Sequence, residues 1–229
     1  MEKGGGVNIG QQALFLILLT VWGTRLTYNW ARGFAGLHAQ DWRYTQFQRV
    51  HPRLWPVINL TGIQLMPTVV VFVALLPALY ATLGSARVGW LTVPAALLAA
   101  ASIFLEAAAD AQLRRFRADA SHRGRIINRG LWRWSRHPNY LGEILFWWGI
   151  YLTSLSMARL PVWLLAGPVA VTALFLFVSI PMMEKRQRST WNTRRGRVCC
   201  CQSGGGMTGQ RKSSWGNKQK YSKRKIVLA

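Results

Sequence analysis

The chain has 229 residues, a formal charge of +22 and a 51% share of hydrophobic residues. So large a charge beside so large an apolar fraction argues against an ordinary soluble domain. The two are reconciled if the apolar residues lie in long blocks and the basic ones lie between them, and the sequence reads that way.

In chain order, the first apolar block runs from Ala13 to Trp22. Lys3 precedes it and no small-residue cleavage site follows, so it reads as an anchor rather than a removed signal peptide. It is short for a span unless its helix continues through Arg25 toward Trp30. The next stretch, "RLTYNWARGFAGLHAQDWRY", sets Arg25, Tyr28 and Arg32 at helical spacing, with Asp41 and Arg43 in a short polar segment. Val57 to Leu83 and Trp90 to Ala109 then reach the ~20 apolar residues a spanning helix needs. The fourth block, Leu141 to Met157, needs its flanks to span, and the fifth, Leu160 to Met183, does not. Pro67, Pro77, Pro161 and Pro168 do not exclude helix, because a bundle satisfies the carbonyls that proline frees. The expectation is an all-α, polytopic transmembrane bundle of about five spans over residues 11–188.

Arginine placement supports that count. Residues 25–56 hold Arg25, Arg32, Arg43, Arg49 and Arg53, and residues 110–140 hold eight more, from Arg114 to Arg136. The alternate connections hold only Arg87 and Arg159. Five spans put both basic connections and the C-terminus on one side, which the positive-inside rule makes cytoplasmic. The expected location is an integral membrane protein of a bacterial inner membrane or an endoplasmic-reticulum-like one.

All seven acidic residues lie between Glu2 and Glu184, whereas residues 189–229 hold ten Lys/Arg and no acid. This tail reads as a disordered basic low-complexity segment suited to anionic lipid headgroups. It carries no base-reading motif, so specific nucleic-acid recognition is not expected. Cys199, Cys200 and Cys201 are contiguous, whereas zinc ligands are spaced; no metal site is expected, and the three read as incidental thiols.

Three groups of residues could carry chemistry. "EAAADAQLRRFR" puts Glu106, Asp110, Arg114 and Arg117 on one helix face, with Asp110 and Arg114 at pairing distance. Glu106 is a turn deeper, where an acid is costly without a partner and functional by default. It could equally belong to a self-contained salt-bridge ladder. "RGLWRWSRHPNYLGEILFWWGIYL" places Pro138 for the first turn of the fourth span, whose free N–H groups suit an anion. Arg133, Arg136 and His137 add charge there, although arginines and tryptophans also anchor helices at lipid headgroups. The first basic connection supplies the third and weakest group, Arg25 and Arg32.

At "DWRY", "EAAADAQLRRFR", "GLWRWSRHPNYLGEILFWWGIYL" and "IPMMEKR" the chain resembles the steroid 5-alpha-reductase-like integral membrane family, in particular its bacterial branch. The resemblance covers roughly Arg25 to Arg186. It implies a bundle in which NADPH enters from the cytoplasmic side and transfers a hydride to the C=C bond of an apolar enone-type substrate, sterol-like or another lipid. The implied cofactor contacts are Asp110, Arg114, Arg117, Asn139 and Glu143, with Arg136, His137 and Tyr140 lining the same pocket and Glu106 as a further cofactor-facing residue. Arg25 and Arg32 are weaker candidates. The catalytic acid is unassigned, with Tyr140 and Tyr151 as the available phenols. The family's ending is replaced here by the basic tail, which is expected to reflect a reading-frame shift from about Gln187 onward.

Two alternatives stand beside a reductase. One is an S-adenosylmethionine-dependent methyltransferase like isoprenylcysteine carboxyl methyltransferase, a relative with a similar Arg-His-Pro motif. The other is a non-catalytic lipid-binding membrane protein. A sulfonium cofactor carries no phosphates and leaves Arg114, Arg117 and Arg133 with less to do.

Overall fold

The computed structural model describes residues 9–34, 36, 42–83, 88–122 and 125–185. Asp41, the cysteine triplet and the basic tail lie outside the described residues, as does the side chain of Arg43. Within them the chain is all-α: α1 (Ile9–Gly33), α2 (Trp42–Val50), α3 (Trp55–Leu83), α4 (Thr92–Ala118), a single turn α5 (Leu131–Trp134), α6 (Pro138–Met157) and α7 (Val162–Lys185). Four of these, α1, α3, α4 and α7, are long and apolar enough to cross a membrane.

The first helix continues past Arg25 to Gly33, giving the short first block its length. Gln11, Phe15 and Leu18 are buried, and Trp22, Arg25 and Asn29 extend the same stripe. Away from that stripe α1 exposes Leu16, Ile17, Val21 and Leu26, as expected of lipid-facing surface. Proline shapes α3 and α7 without ending them. In α3, residues Ile58–Leu65 widen to π-helical hydrogen bonding just before Pro67, which offers no N–H to the preceding turn. Pro77 lies further inside the helix. In α7 the turn Val162–Leu165 is tightened to a 3-10 geometry ahead of Pro168.

The fourth apolar block forms α6, which starts at Pro138 with His137 as its cap residue. It carries Asn139, Glu143, Thr153 and Ser154 and lies outside the set of four strongly apolar spans. These groups do not need lipid exposure, because α6 sits at the centre of the bundle against α4, α3 and α7. Thr153 and Ser154 are buried and donate to the Gly149 and Ile150 carbonyls one turn back, so neither hydroxyl is left unsatisfied. The core gathers around Phe146, Trp147, Ile150 and Met157 of α6.

Contact between α4 and α6 is backbone-close because α6 offers glycine where α4 approaches. A Cβ on Gly149 would lie 2.8 Å from the Ala99 nitrogen, and one on Gly142 would lie 3.1 Å from the Ser102 carbonyl oxygen. Small residues at such crossings let helices gain packing contacts that lipid cannot supply. The same approach brings the acids of α4 and α6 within reach of one another.

Candidate functional site

A buried charged cluster lies where α1, α4 and α6 meet. Arg25 of α1 stands at its centre, its side chain 12% exposed. One guanidinium nitrogen pairs with Glu106 Oε2 and lies 3.4 Å from Glu143 Oε2, and the other lies 3.2 Å from Asp110 Oδ2. Glu106 is 1% exposed, and its four-residue offset from Asp110 puts both carboxyls of α4 on the face toward Arg25. Indole N–H groups complete the ring. Trp22 donates to Glu143 at 3.1 Å and Trp147 donates to the same carboxylate at 3.0 Å. Trp22 also stacks on Phe146 at 5.4 Å, forming an aromatic wall beside the charges.

Three carboxyls share one guanidinium here. Ions removed from water cost several kcal/mol each unless paired and hydrogen-bonded. The pairing is incomplete: among the described residues no hydrogen-bond partner reaches Arg25 Nε, Glu106 Oε1, Asn139 Oδ1 or His137 Nε2, all of them buried atoms. Buried polar atoms without partners call for an explanation, and a ligand is one.

Around this cluster lies a basic end of the bundle. Arg114 is half-buried and donates to Asn29 Oδ1 at 2.5 Å, tying α4 to α1. The local Asp110–Arg114 pair anticipated from spacing is not formed; Asp110 pairs across helices with Arg25 instead. Arg117, Arg133 and Arg136 are exposed, and Arg136 pairs with Glu184 of α7 at 3.0 Å. His137 is buried, its ring stacked on Tyr140 at 5.2 Å, and Tyr140 in turn meets Phe175 of α7. Burial pushes the His137 imidazole below its usual range, with Glu184 opposing and Arg136 reinforcing that shift.

The structure therefore brings Glu106, Asp110 and Glu143 together and leaves Asn139 and His137 nearby on the first turn of α6. It does not gather Arg114, Arg117, Arg133 and Arg136 into the buried cluster. Arg25, a weaker candidate by sequence, is the arginine found there. Arg32 turns outward to Tyr28, its Nη1 donating to the phenol at 2.7 Å. Tyr151 packs on Trp148 at 6.1 Å, two turns along α6 from Glu143. Trp22, Trp147 and Asn29 were not anticipated. For Trp22 and Asn29 the signal was available, since they share a helical stripe with Arg25.

Beside the cluster, an open apolar groove of about 590 Å³ runs along α4. Leu98, Ala101, Ser102, Leu105, Ala108 and Leu145 line it, with Gln112 and Leu131 toward the basic end. Gln112 accepts the Leu131 N–H at 2.9 Å, and Trp132 donates to the Ala109 carbonyl at 3.0 Å, so α5 is fastened across the end of α4.

Comparison with known proteins matches residues 5–196 to a family described as protein of unknown function (DUF1295). The chain belongs to the DUF1295 family. The match takes in every helix of the bundle and all residues of the cluster. Among curated proteins, one described as uncharacterized from Schizosaccharomyces pombe is 31% identical over 176 residues, covering 65% of this chain and 50% of that protein. This DUF1295 chain thus spans about half the length of the curated relative it matches. No solved structure matches it.

Proposed function

We propose that this DUF1295 chain is a steroid 5-alpha-reductase-like membrane reductase that uses NADPH to reduce the C=C bond of an apolar enone-type lipid. The observation that carries the proposal is the set of buried, unpartnered polar atoms on Arg25, Glu106, Asn139 and His137 around one charged cluster. A protein that folds to bury such atoms beside an apolar groove supports a ligand with both polar and apolar parts.

The residues fit the cofactor in kind. Asn139 Oδ1 and the Glu106 and Glu143 carboxyls suit a carboxamide and ribose hydroxyls, all of which donate hydrogen bonds. Arg114, Arg117, Arg133 and Arg136 lie on the helix ends at the basic side and suit a pyrophosphate and a 2′-phosphate. When bound, the reduced nicotinamide supplies a hydride to an electron-poor carbon. The chain's own part is to orient that ring against the Trp22–Phe146–Trp147 wall, to exclude water there, and to hold the substrate's apolar body along α4. Basic connections facing the cytoplasm would put the cofactor entrance on that side.

One observation favours a second reading. Three carboxyls around one guanidinium suit a cation, and the sulfonium of S-adenosylmethionine is one. A titration separates the two. Purified protein in detergent is heated with NADPH, NADH or S-adenosylmethionine, and its thermal unfolding is followed. The reductase reading expects stabilisation by NADPH, less by NADH, and none by S-adenosylmethionine. Stabilisation by S-adenosylmethionine alone moves the assignment to methyl transfer. A response to none of the three leaves a non-catalytic membrane protein.

A further inference from the structure

The groove along α4 differs from ordinary lipid-facing helix surface in three ways. Its floor is recessed, because Ala101, Ser102 and Ala108 stand among larger walls such as Phe104 and Leu145. It is stopped at the basic end by Leu131 of α5, while the exposed Phe104 marks the side open to lipid. None of its lining residues is charged, although Arg129 and Arg133 flank Leu131 in the chain.

The polar side chains lining it are Ser102 and Gln112. The Ser102 hydroxyl already donates to the Leu98 carbonyl at 2.7 Å, so its proton is spent within the helix. Gln112 is set differently. Its Oε1 accepts the Leu131 N–H at 2.9 Å, and a backbone N–H can only donate, so the orientation of the amide is fixed. The Gln112 NH₂ group forms no bond among the described residues, which leaves it as the side-chain donor available to the groove. The turn before α5 closes on that amide. Gly130 has φ +57, and a Cβ there would lie 2.5 Å from Oε1 and 3.0 Å from Nε2 of Gln112, so glycine is what lets the turn approach. Trp132, bonded to the Ala109 carbonyl, fastens the same turn to α4.

One neutral donor at the end of an apolar trough matches a neutral acceptor at the end of an apolar molecule. A carbonyl fits, because it accepts without donating and carries no charge. A headgroup phosphate does not, since it calls for cationic partners that no lining residue provides. From Leu98 to Gln112 the helix rises about 21 Å, more than the ~15 Å of hydrocarbon in one leaflet. The trough therefore favours a long molecule over a small one.

We propose that the α4 groove binds a long neutral lipid with one terminal carbonyl, which accepts from Gln112 Nε2 while the apolar end lies against Leu98. Gln112 thereby sets which end of the molecule faces the basic side. The groove carries this binding by itself; that the bound lipid is the substrate rests on the reductase reading.

The test photolabels the full chain in phosphatidylcholine nanodiscs, without NADPH, using a long-chain α,β-unsaturated methyl ketone with a diazirine at its far end. Labelling is expected to saturate, to be displaced by the same ketone lacking the diazirine, and to fall on α4 around Leu98 to Ser102 by peptide mass spectrometry. Gln112→Glu keeps an oxygen for the Leu131 N–H but loses the donor, so half-saturation is expected to need about 10-fold more probe. Ala101→Phe fills the floor and is expected to abolish labelling, with thermal unfolding checked for both variants. Labels around Gln112 and Leu131 would reverse the orientation and overturn the carbonyl's place. Unsaturable labelling spread over α1 and α3 would overturn the site as ordinary lipid contact, whether or not a variant folds. Displacement by phosphatidylglycerol rather than by the unlabelled ketone would assign the groove to an anionic headgroup and overturn the neutral one. A folded Gln112→Glu with wild-type half-saturation overturns the hydrogen bond. Labelling confined to the groove of a protein that NADPH fails to stabilise supports this site and removes the reductase reading.

Discussion

Replacing Arg25 by alanine tests the cluster most severely. The guanidinium is the one base among three carboxyls and is itself nearly buried. Deleting one partner of a buried ion pair costs about 3–5 kcal/mol, since the other charge is left without compensation. The three contacts share one group and do not add, so the total stays in that range rather than tripling. For a chain of this size that is a fall in Tm on the order of 10 °C. Glu106→Gln is expected to behave quite differently. It removes one of the surplus acids, and its neutral amide can still hydrogen-bond within the cluster, so its cost is within about 1 kcal/mol. The double variant is then expected to be more stable than Arg25→Ala alone, because fewer buried charges are stranded. Thermal unfolding of the four proteins in one detergent gives the comparison. An Arg25→Ala variant within about 0.5 kcal/mol of wild type, the range of ordinary surface substitutions, would refute the reasoning.

Gly149→Ala places a Cβ 2.8 Å from the Ala99 backbone nitrogen, so α4 and α6 must separate; a loss of about 1–3 kcal/mol is expected, read as a lower Tm. His137 gives a pH dependence: burial depresses its folded pKa, so between that value and its unfolded value of about 6.5 the unfolded chain binds more protons. Stability is therefore full above about pH 6.5 and declines as pH falls toward the folded pKa, and His137→Gln flattens that slope in a series of melts. Arg117→Ala is expected to weaken stabilisation by NADPH while leaving Tm without ligand unchanged, since the side chain is exposed. Equal NADPH responses in variant and wild type would remove Arg117 from the phosphate site.

Much of the helical frame is legible in the sequence because its signals are local. Pro138 marks the start of α6, and the apolar lengths of α3, α4 and α7 follow from composition. The acids at Glu106 and Asp110 are visible for the same reason, being one turn apart on one helix. Their true partner is not. Spacing suggests Arg114, four residues on, whereas the guanidinium comes from α1, and pairing between helices leaves no periodic trace. The stripe from Gln11 through Phe15, Leu18 and Trp22 to Arg25 and Asn29 does point α1 inward, and it explains why Arg25 is buried while Arg32 is not. The exposed arginines are the reverse case. Their sequence clustering reflects a shared membrane side, which does not require convergence on one pocket.

An experimental density map of the protein purified with its native ligands tests the central claim most directly. The account predicts a dinucleotide with its nicotinamide end beside Glu106, Asn139 and Glu143 and its phosphates among Arg114, Arg117, Arg133 and Arg136. A map in which Arg25 and the three carboxyls stay closed on one another, with lipid alone against the basic end, would contradict it.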